Sequence, residues 1–586
     1  MKIPKLQPAL VSGSFFFMVG SAAFFRLANY DIWWHLAAGR LIAAGGGIPR
    51  TDSFSFTAQG VEWIDHEWLF QLLMFGVHSS GGPTGLVLAK TALIVAAAAV
   101  VYRFVRRETG LPPAAAGLLL LPFVLAGRDR FIVRPELFTL LFSAVLLDAL
   151  FRSRPRPATM GDLWWIPFIF AAWANLHGGM IVGLVLLGLI LLGRLMPWIW
   201  RVGAAGPGMP ELNLPSSATI LILLAASAAA GLVNPFLHRV YTVPFRLTSL
   251  VESGVFHNLE WIRPPWPDTW LYYLVLLAAL LIIGMRLRRP DWISIFPLLF
   301  LMAISWQYVR NIALFAMLAP LLLLRVWGTG PAAARSRGER LTISQLLFGR
   351  GPLAAGAAGL FIVLGIFLLT AHYRFAPGCG VDPRHVPQQA VDFIQREQPP
   401  GQLFNAYVFG GYVSWRLWPG TRIFIDGRNE VFAELGREVG QAREDSRKWA
   451  ALLEKYDIGY TLLEYNPRLE QTTLVDAAGG APRMVYRPST MNHFPRSRWA
   501  LVHWDDTAMV HVRRTAETAR LIATHEYRHV YPEDAVCQLE MIAGGEADFG
   551  RCRLELQRKL RDDPGCRRAR ELLAALETAT FSAPAP

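Results

Sequence analysis

Apolar residues fill the first 370 positions in long unbroken blocks, separated by short polar stretches. The blocks run to roughly 16–22 residues, the length that carries a helix across a hydrocarbon core of ~30 Å. They fall at 8–25, 86–102, 111–127, 136–151, 163–176, 180–196, 217–233, 270–286, 291–307, 311–327 and 352–372. This pattern predicts about eleven membrane helices and does not resemble the alternating ~10-residue strands of an outer-membrane barrel. Beyond residue 372 the blocks stop. The chain is thus expected to be an α-helical polytopic membrane protein with a C-terminal α/β soluble domain and a short helical tail. The boundaries read as 1–372 for the transmembrane part, with a first external loop at 26–85, then 373–531 for the α/β domain and 532–586 for the tail.

Within the soluble part, 385–398 reads as a helix and Gln402-Leu403-Phe404-Asn405 as a short strand. A Gly-broken helix or loop follows from Tyr407 to Leu417. Arg422-Ile423-Phe424-Ile425 reads as a buried strand that ends at the turn Asp426-Gly427-Arg428. Lys448 to Tyr456 is helical, Ile458 to Glu464 is a strand, and Trp499–His503 with Ala508–Val512 forms a hairpin around Asp505-Asp506. Three helices at 533–543, 546–560 and 565–578 have a spacing similar to a tetratricopeptide repeat, an element that docks partner proteins; a plain helical cap fits the same spacing.

Composition agrees with the block pattern. The hydrophobic fraction is 53% and the mean hydropathy +0.32. Charge adds a topology. From Arg374 onward basic and acidic residues balance, with 28 of each, so the whole excess of +13 lies before that point. Lys2 and Lys5 precede the first block. Alternation then places Arg103, Arg106 and Arg107; Arg152, Arg154 and Arg156; Arg194 and Arg201; Arg286, Arg288 and Arg289; and Arg325, Arg335, Arg337, Arg340 and Arg350 in cytoplasmic turns. About 18 basic residues fall on that side against about 10 on the other, which predicts a cytoplasmic N-terminus and an external C-terminal domain. In a bacterium this means the inner membrane and the periplasm. The first block also reads as a signal peptide with Ser21-Ala22-Ala23 as its cleavage site, which leaves the downstream orientation unchanged. The four cysteines, Cys379, Cys537, Cys552 and Cys566, lack CxxC spacing, which leaves structural disulfides or buried thiols; three full pairings exist, and adjacent helices make Cys537–Cys552 a candidate bond. No basic stripe with interleaved aromatics points to nucleic acid.

The external loops carry most of the chemistry. The first begins Asp31-Ile32-Trp33-Trp34-His35 and predicts an amphipathic helix at the interface that ends at Gly45-Gly46-Gly47. It continues through Asp52, Glu62, Asp65, His66 and Glu67 to a second interfacial helix, Trp68 to His78. Later loops hold Arg128, Arg130 and Arg134, then Asn175 and His177 before Gly178-Gly179, then Asn234-Pro235 and Glu260-Trp261, then Arg310. Charges at that depth are costly unless they pair or line a wet cavity. Arg128, Arg130 and Arg134 run against the positive-inside trend, which makes them candidates for a phosphate or pyrophosphate. Interfacial anchoring is the plain alternative for the tryptophans, snorkelling for the arginines, and a self-paired turn for Asp426 and Arg428.

Asp31-x-Trp33-Trp34-His35, Pro49-x-x-Asp52-x-Phe54-Ser55, Glu67-Trp68-Leu69, Arg134-Pro135, Trp173-x-Asn175-x-His177-Gly178, Asn405-x-Tyr407-x-Phe409-Gly410-Gly411 and Asp426-Gly427-Arg428 resemble a group of bacterial membrane proteins placed with the C-type glycosyltransferases, the GT-C superfamily. The resemblance covers nearly the whole chain. It implies a membrane enzyme that takes a sugar from a polyprenyl-phosphate donor at the external face. The superfamily often pairs its acids in loop one; here they are spread over Asp31, Asp52, Glu62, Asp65 and Glu67.

Such a reaction needs a carboxylate to take the acceptor's proton, cations to stabilise the departing phosphate, and a greasy groove for the polyprenyl chain. The sequence reading assigns Asp31 as the base, with His35, Glu62, Asp65 and Glu67 as further catalytic candidates. Arg128, Arg130, Arg134, Asn175, His177, Arg310, Asp426 and Arg428 are the binding candidates. The acids and His66 leave room for a divalent metal, Mg or Mn, though no ligand spacing demands one. Two rival readings stand beside this one. A transporter or flippase would want mid-depth charges and inverted repeats, and an assembly factor would use the tail to hold a protein partner.

Overall fold

The computed structural model describes residues 6–199, 214–256, 259–288, 290–327, 352–371, 374–465, 469–474 and 483–579. Lys2, Lys5, Arg201, Arg289, Arg335, Arg337, Arg340 and Arg350, used in the charge argument, lie outside the described residues. The chain forms two compact units. One comprises Met1–Asn29, Ala38–Arg50 and Ile64–Val381; the other comprises Tyr30–Ala37, Thr51–Trp63 and Asp382–Pro586.

The first unit is a helix bundle. Each apolar block predicted above contains a helix: Leu6–Ala23, Trp68–Thr109, Pro113–Gly127, Glu136–Phe151, Ile166–Leu176, Met180–Ile199, Ser217–Ala230, Trp270–Arg286, Trp292–Gln307, Ile312–Trp327 and Pro352–Thr370. By length and composition, three segments among the described residues suffice to cross a membrane: Trp68–Thr109, Val309–Trp327 and Leu353–Thr370. Pro8–Ala23, Met180–Met196, Ser217–Ala230, Trp270–Arg286 and Trp292–Gln307 are apolar but shorter.

Ile312–Trp327 is apolar all round and buried along nearly its whole length, as such a helix must be. It packs against Pro113–Gly127, Glu136–Phe151, Trp270–Arg286 and Trp292–Gln307. Pro352–Thr370 lies against Leu6–Ala23; Ala354, Ala357, Phe361 and Leu368 are buried, while Val363, Ile366 and Phe367 stay exposed. Trp270–Arg286 likewise exposes Leu274, Leu277 and Leu281. Exposed apolar faces of this kind are liabilities in water and ordinary against lipid tails.

Trp68–Thr109 breaks at Gly82, whose φ of 58° lies in the left-handed region, with Pro83 next. The expected second loop helix therefore runs past His78 to the break. One end of the bundle is fastened by ion pairs and a hydrogen bond at the expected cytoplasmic turns. Arg107 Nη2 donates to Asp148 Oδ1 at 2.9 Å, Arg152 Nη2 donates to Asp148 Oδ2 at 2.7 Å, and Arg325 Nε donates to Ser294 Oγ at 3.0 Å. Glu136, at the other end of the Asp148 helix, is ~18 Å away by helical rise.

The second unit is an α/β domain. Its strands are β1 (Gln402–Asn405), β2 (Ile458–Glu464), β3 (Leu469–Leu474), β4 (Arg483–Pro488), β5 (Trp499–Trp504) and β6 (Ala508–Arg513). The main sheet has the order β1-β2-β6-β5, with β1 and β2 parallel and the rest antiparallel, and β3 and β4 form a separate hairpin. Residues 422–425, expected as a strand, form no strand of that sheet. Ile423 bridges to Ser55 and its amide donates to Phe54 O at 3.1 Å. Its partner lies more than 300 positions earlier, a distance over which local patterning carries no signal. The helix Ile32–Leu41, expected to be amphipathic and to lie at the interface, is buried from Ile32 to Ala37, the part that belongs to this unit. Ile32, Leu36 and Ala37 are wholly enclosed, and His35 is enclosed with them, its ring packed on Trp34 at 3.6 Å between centroids.

The tail helices Ala535–Ala543, Phe549–Asp562 and Arg567–Thr578 belong to this same unit. Glu555 accepts from the amides of Arg528, His529 and Val530 at 3.0, 2.9 and 3.1 Å. Asp506 accepts from those of Arg567 and Arg568 at 3.0 and 2.7 Å. All four cysteines are free thiols, three of them buried, so the Cys537–Cys552 bond is not formed and the buried-thiol alternative describes Cys537, Cys552 and Cys566. Burial raises the thiols of Cys537, Cys552 and Cys566 to about 12.

Candidate functional site

Of the residues predicted to lie in separate external loops of the first unit, Glu67, Arg130, His177 and Arg310 meet in one cavity of about 310 Å³, whereas Asp65, Arg128, Arg134 and Asn175 do not line it. Its walls are apolar, from Leu137, Leu140, Ile181, Val182, Val243, Leu247, Phe300, Ile304 and Leu314. Its polar lining comes from helix ends and turns: His66 and Glu67 before Trp68–Thr109, Arg130 and Glu136 around the start of Glu136–Phe151, His177 after Ile166–Leu176, and Trp261, Tyr308 and Arg310. Polar groups sit there because a helix end leaves its backbone unsatisfied and its side chains near the bundle's surface.

Two glutamates hold three arginines. Arg130 Nη1 donates to Glu260 Oε1 at 2.8 Å, and Arg134 donates to the other oxygen of the same carboxylate. Arg130 Nη2 reaches Glu136 Oε2 at 3.4 Å, and Arg310 donates to Glu136 Oε1. The Arg310 guanidinium also lies over the Trp261 ring, 4.6 Å from its centroid. Burial alone would raise the Glu260 carboxyl, but Arg134 and Arg130 outweigh it and hold it below its ordinary range. The cluster keeps one positive charge more than it has negative ones.

Glu67 stands between two imidazoles. Its Oε1 is 3.6 Å from His66 Nε2 and 3.9 Å from His177 Nε2. Burial lowers His66 to about 4 and His177 to about 3, so both rings are neutral at pH 7. Trp173 Nε1 donates to Thr139 Oγ1 at 2.8 Å, and Thr139 Oγ1 is 2.7 Å from His177 Nδ1.

Other sequence candidates have structural partners. Asn175 commits its amide: Nδ2 donates to Ala171 O and Val233 O, both at 2.7 Å, and Oδ1 accepts from Trp68 Nε1 at 2.7 Å. Asp65 is buried and accepts from Gln71 Nε2, one turn into the following helix. Arg128 is buried in the turn Arg128–Arg130. Sequence reasoning passed over Glu136, Glu260, Thr139 and Trp173 as site residues. The signal for the two acids was present, since three inward arginines require counter-charges. Nothing in the sequence marks Thr139, which lies inside an apolar block.

The remaining candidates belong to the second unit. Glu62 is exposed and bridges to Thr51. Arg428 is fully buried between two carboxylates, with Nη1 2.7 Å from Asp52 Oδ1 and Nη2 2.9 Å from Asp426 Oδ2. Its guanidinium lies over the Trp63 ring at 4.7 Å. Burial alone would lower the Arg428 pKa, but Asp426 and Asp52 outweigh it and keep the guanidinium charged. Asp52 also accepts from the Ser55 amide at 3.0 Å. The motif Asn405-x-Tyr407 serves the same turn. Asn405 Nδ2 donates to Ile425 O at 2.7 Å, and Tyr407 Oη donates to Asn429 Oδ1 at 2.6 Å. Asp31 lies against this turn too: a methyl on Gly427 would come 2.7 Å from Asp31 Oδ1.

Among the described residues no group of three or more His, Cys, Asp or Glu side chains is placed to hold a metal ion.

No family model matches the sequence, and no curated protein matches it. Solved structures do match in fold. The oligosaccharyltransferase of Archaeoglobus fulgidus in its apo form superposes with a TM-score of 0.51 at 11% identity, over 82% of this chain and 74% of that one. ArnT from Cupriavidus metallidurans, bound to undecaprenyl phosphate, aligns more loosely, with a TM-score of 0.44 at 12% identity over 87% of this chain and 98% of that one. The likeness to the archaeal oligosaccharyltransferase shows that this chain has a fold of the C-type glycosyltransferase kind.

Proposed function

We propose that this protein is a membrane glycosyltransferase that moves a sugar from a polyprenyl-phosphate-linked donor to an acceptor at the external face of the membrane. The observation that carries the reading is the cavity of the first unit, where apolar walls meet a floor of arginines, glutamates and histidines at one end of the bundle. The fold supports a transferase of this class only by analogy.

In this reading the prenyl chain lies along the apolar wall. The surplus positive charge of Arg130, Arg134 and Arg310 over Glu136 and Glu260 stabilises the phosphate as it leaves. Glu67, the carboxylate beside the two imidazoles, takes the acceptor's proton. Asp31, the base suggested by sequence, is tested alongside it.

The experiment is transfer of radiolabelled sugar from polyprenyl-phosphate donors by the purified protein in lipid nanodiscs. Glu67→Gln keeps shape and removes the base; turnover should fall by roughly 10²-fold or more while donor binding stays nearly intact. Arg130→Ala should instead weaken donor binding. If Asp31→Asn abolishes turnover and Glu67→Gln does not, the base is Asp31. Failure of every donor to bind or react would overturn the reading.

A further inference from the structure

The hydrogen bonds behind the two imidazoles fix where their protons sit. An indole N–H only donates, so Thr139 Oγ1 accepts from Trp173 Nε1 at 2.8 Å. His177 Nδ1 lies 2.7 Å from the same Thr139 oxygen and takes its hydroxyl hydrogen, because the Gly179 amide N–H already makes that nitrogen an acceptor. The Gly179 amide donates to the same nitrogen at 3.2 Å. A nitrogen that accepts twice carries no proton, so the neutral His177 ring carries its proton on Nε2. His66 is the opposite case. Its Nδ1 lies 3.2 Å from Ile64 O, a carbonyl that can only accept, so Nδ1 holds the proton and Nε2 offers a lone pair.

Both Nε2 atoms face Glu67 Oε1, at 3.6 and 3.9 Å. One N–H donor, one imidazole lone pair and one carboxylate therefore converge on the cavity. We propose that this trio is the binding subsite for a hydroxyl group, so that the acceptor in the transfer proposed above is an alcohol, and the inference rests on that reading. A hydroxyl has one hydrogen for Glu67 or His66 and a lone pair for the His177 N–H. An ammonium group has no lone pair for the His177 N–H, and a phosphate oxyanion has no hydrogen for the acceptors.

In the transfer, the hydroxyl oxygen attacks the anomeric carbon and forms the new C–O bond. The bond from that carbon to the phosphate oxygen breaks, and its electron pair leaves with the polyprenyl phosphate. The hydroxyl proton passes to Glu67. Thr139 and Trp173 touch no reactant; they are positioning residues that set the His177 tautomer.

The test is nitrogen NMR of the full-length protein in nanodiscs with ¹⁵N-labelled histidine, His177 being assigned by the signal lost in His177→Gln. His177 should be protonated at Nε2 and His66 at Nδ1. Octanol should move both Nε2 signals, whereas octylamine, an ammonium ion at neutral pH, should leave the His177 signal in place because it has no lone pair for that N–H. Thr139→Val should mix the His177 tautomers and raise the KM for octanol about tenfold, the loss of one hydrogen bond of ~1.4 kcal/mol. Thr139→Ser should restore both. Protonation of His177 at Nδ1, or no response to octanol, would overturn the inference. Transfer to octylamine in place of octanol would overturn it too while upholding the transferase. The expected tautomers and octanol response without transfer from any donor would remove the transferase reading and leave the hydroxyl subsite standing.

Discussion

A methyl group on Gly179 would collide with Thr139 Oγ1 and His177 Nδ1, and one on Gly178 would press on the His66 ring at 3.3 Å. The His-Gly-Gly run is thus a requirement for close approach. Its glycine pair was visible in the sequence, but the hydroxyl it makes room for was not, because Thr139 reads as one more position in an apolar helix. Gly179→Ala is expected to lower the melting temperature and broaden the His177 signals. Glu260→Gln removes the counter-charge that Arg134 and Arg130 share. Its expected cost is about 3 kcal/mol, read as a fall in thermal stability, because two largely enclosed guanidinium groups lose the carboxylate charge they share. The histidines predict a pH effect. In the unfolded chain both protonate near pH ~6.5, whereas in the folded protein burial delays protonation to about 4 for His66 and about 3 for His177. The unfolded state therefore binds more protons as pH falls through that window, and stability should decline from pH ~6.5 towards 4. His66→Gln and His177→Gln should each flatten the decline; an unchanged slope in both would contradict the assignment.

Among elements, the apolar blocks were the most legible part of the chain, since every one holds a helix and only their ends moved. Periodicity also predicted β2 and the β5–β6 hairpin nearly to the residue. It misread elements whose partner is remote. Residues 422–425 look like a sheet strand because they are apolar and buried, yet they pair with 54–56. Ile32–Leu41 looks amphipathic because His35 is polar, yet His35 is enclosed on a tryptophan. The motif Asp426-Gly427-Arg428 proves to be a turn with demanding neighbours. Gly427→Ala should push on Asp31 Oδ1 and destabilise the Asp31 segment, measurable as faster hydrogen exchange in residues 30–37. At the tail, the Glu555 carboxylate satisfies three amides at once. Glu555→Ala should cost about 2 kcal/mol and loosen the Phe549–Asp562 helix in the same measurement; an unaltered tail would show that other contacts hold it.

For the whole molecule, the account combines a fold of the C-type glycosyltransferase kind with a cavity whose polar residues come from loops that charge alternation places on one side of the membrane. Alternation also predicts that a reporter active only in the cytoplasm is silent when fused after residue 586. Activity there would reverse the proposed topology. The central claim is that the cavity of the first unit holds a lipid-linked sugar donor. Photolabelling the purified protein with a photoreactive polyprenyl-phosphate sugar and sequencing the labelled peptides tests this most directly. The account predicts labels on 137–140, 181–182, 243–247 and 304–314, competed away by unlabelled polyprenyl phosphate and diminished in Arg130→Ala. Labels confined to other segments, or labelling that neither competitor nor variant alters, would contradict it.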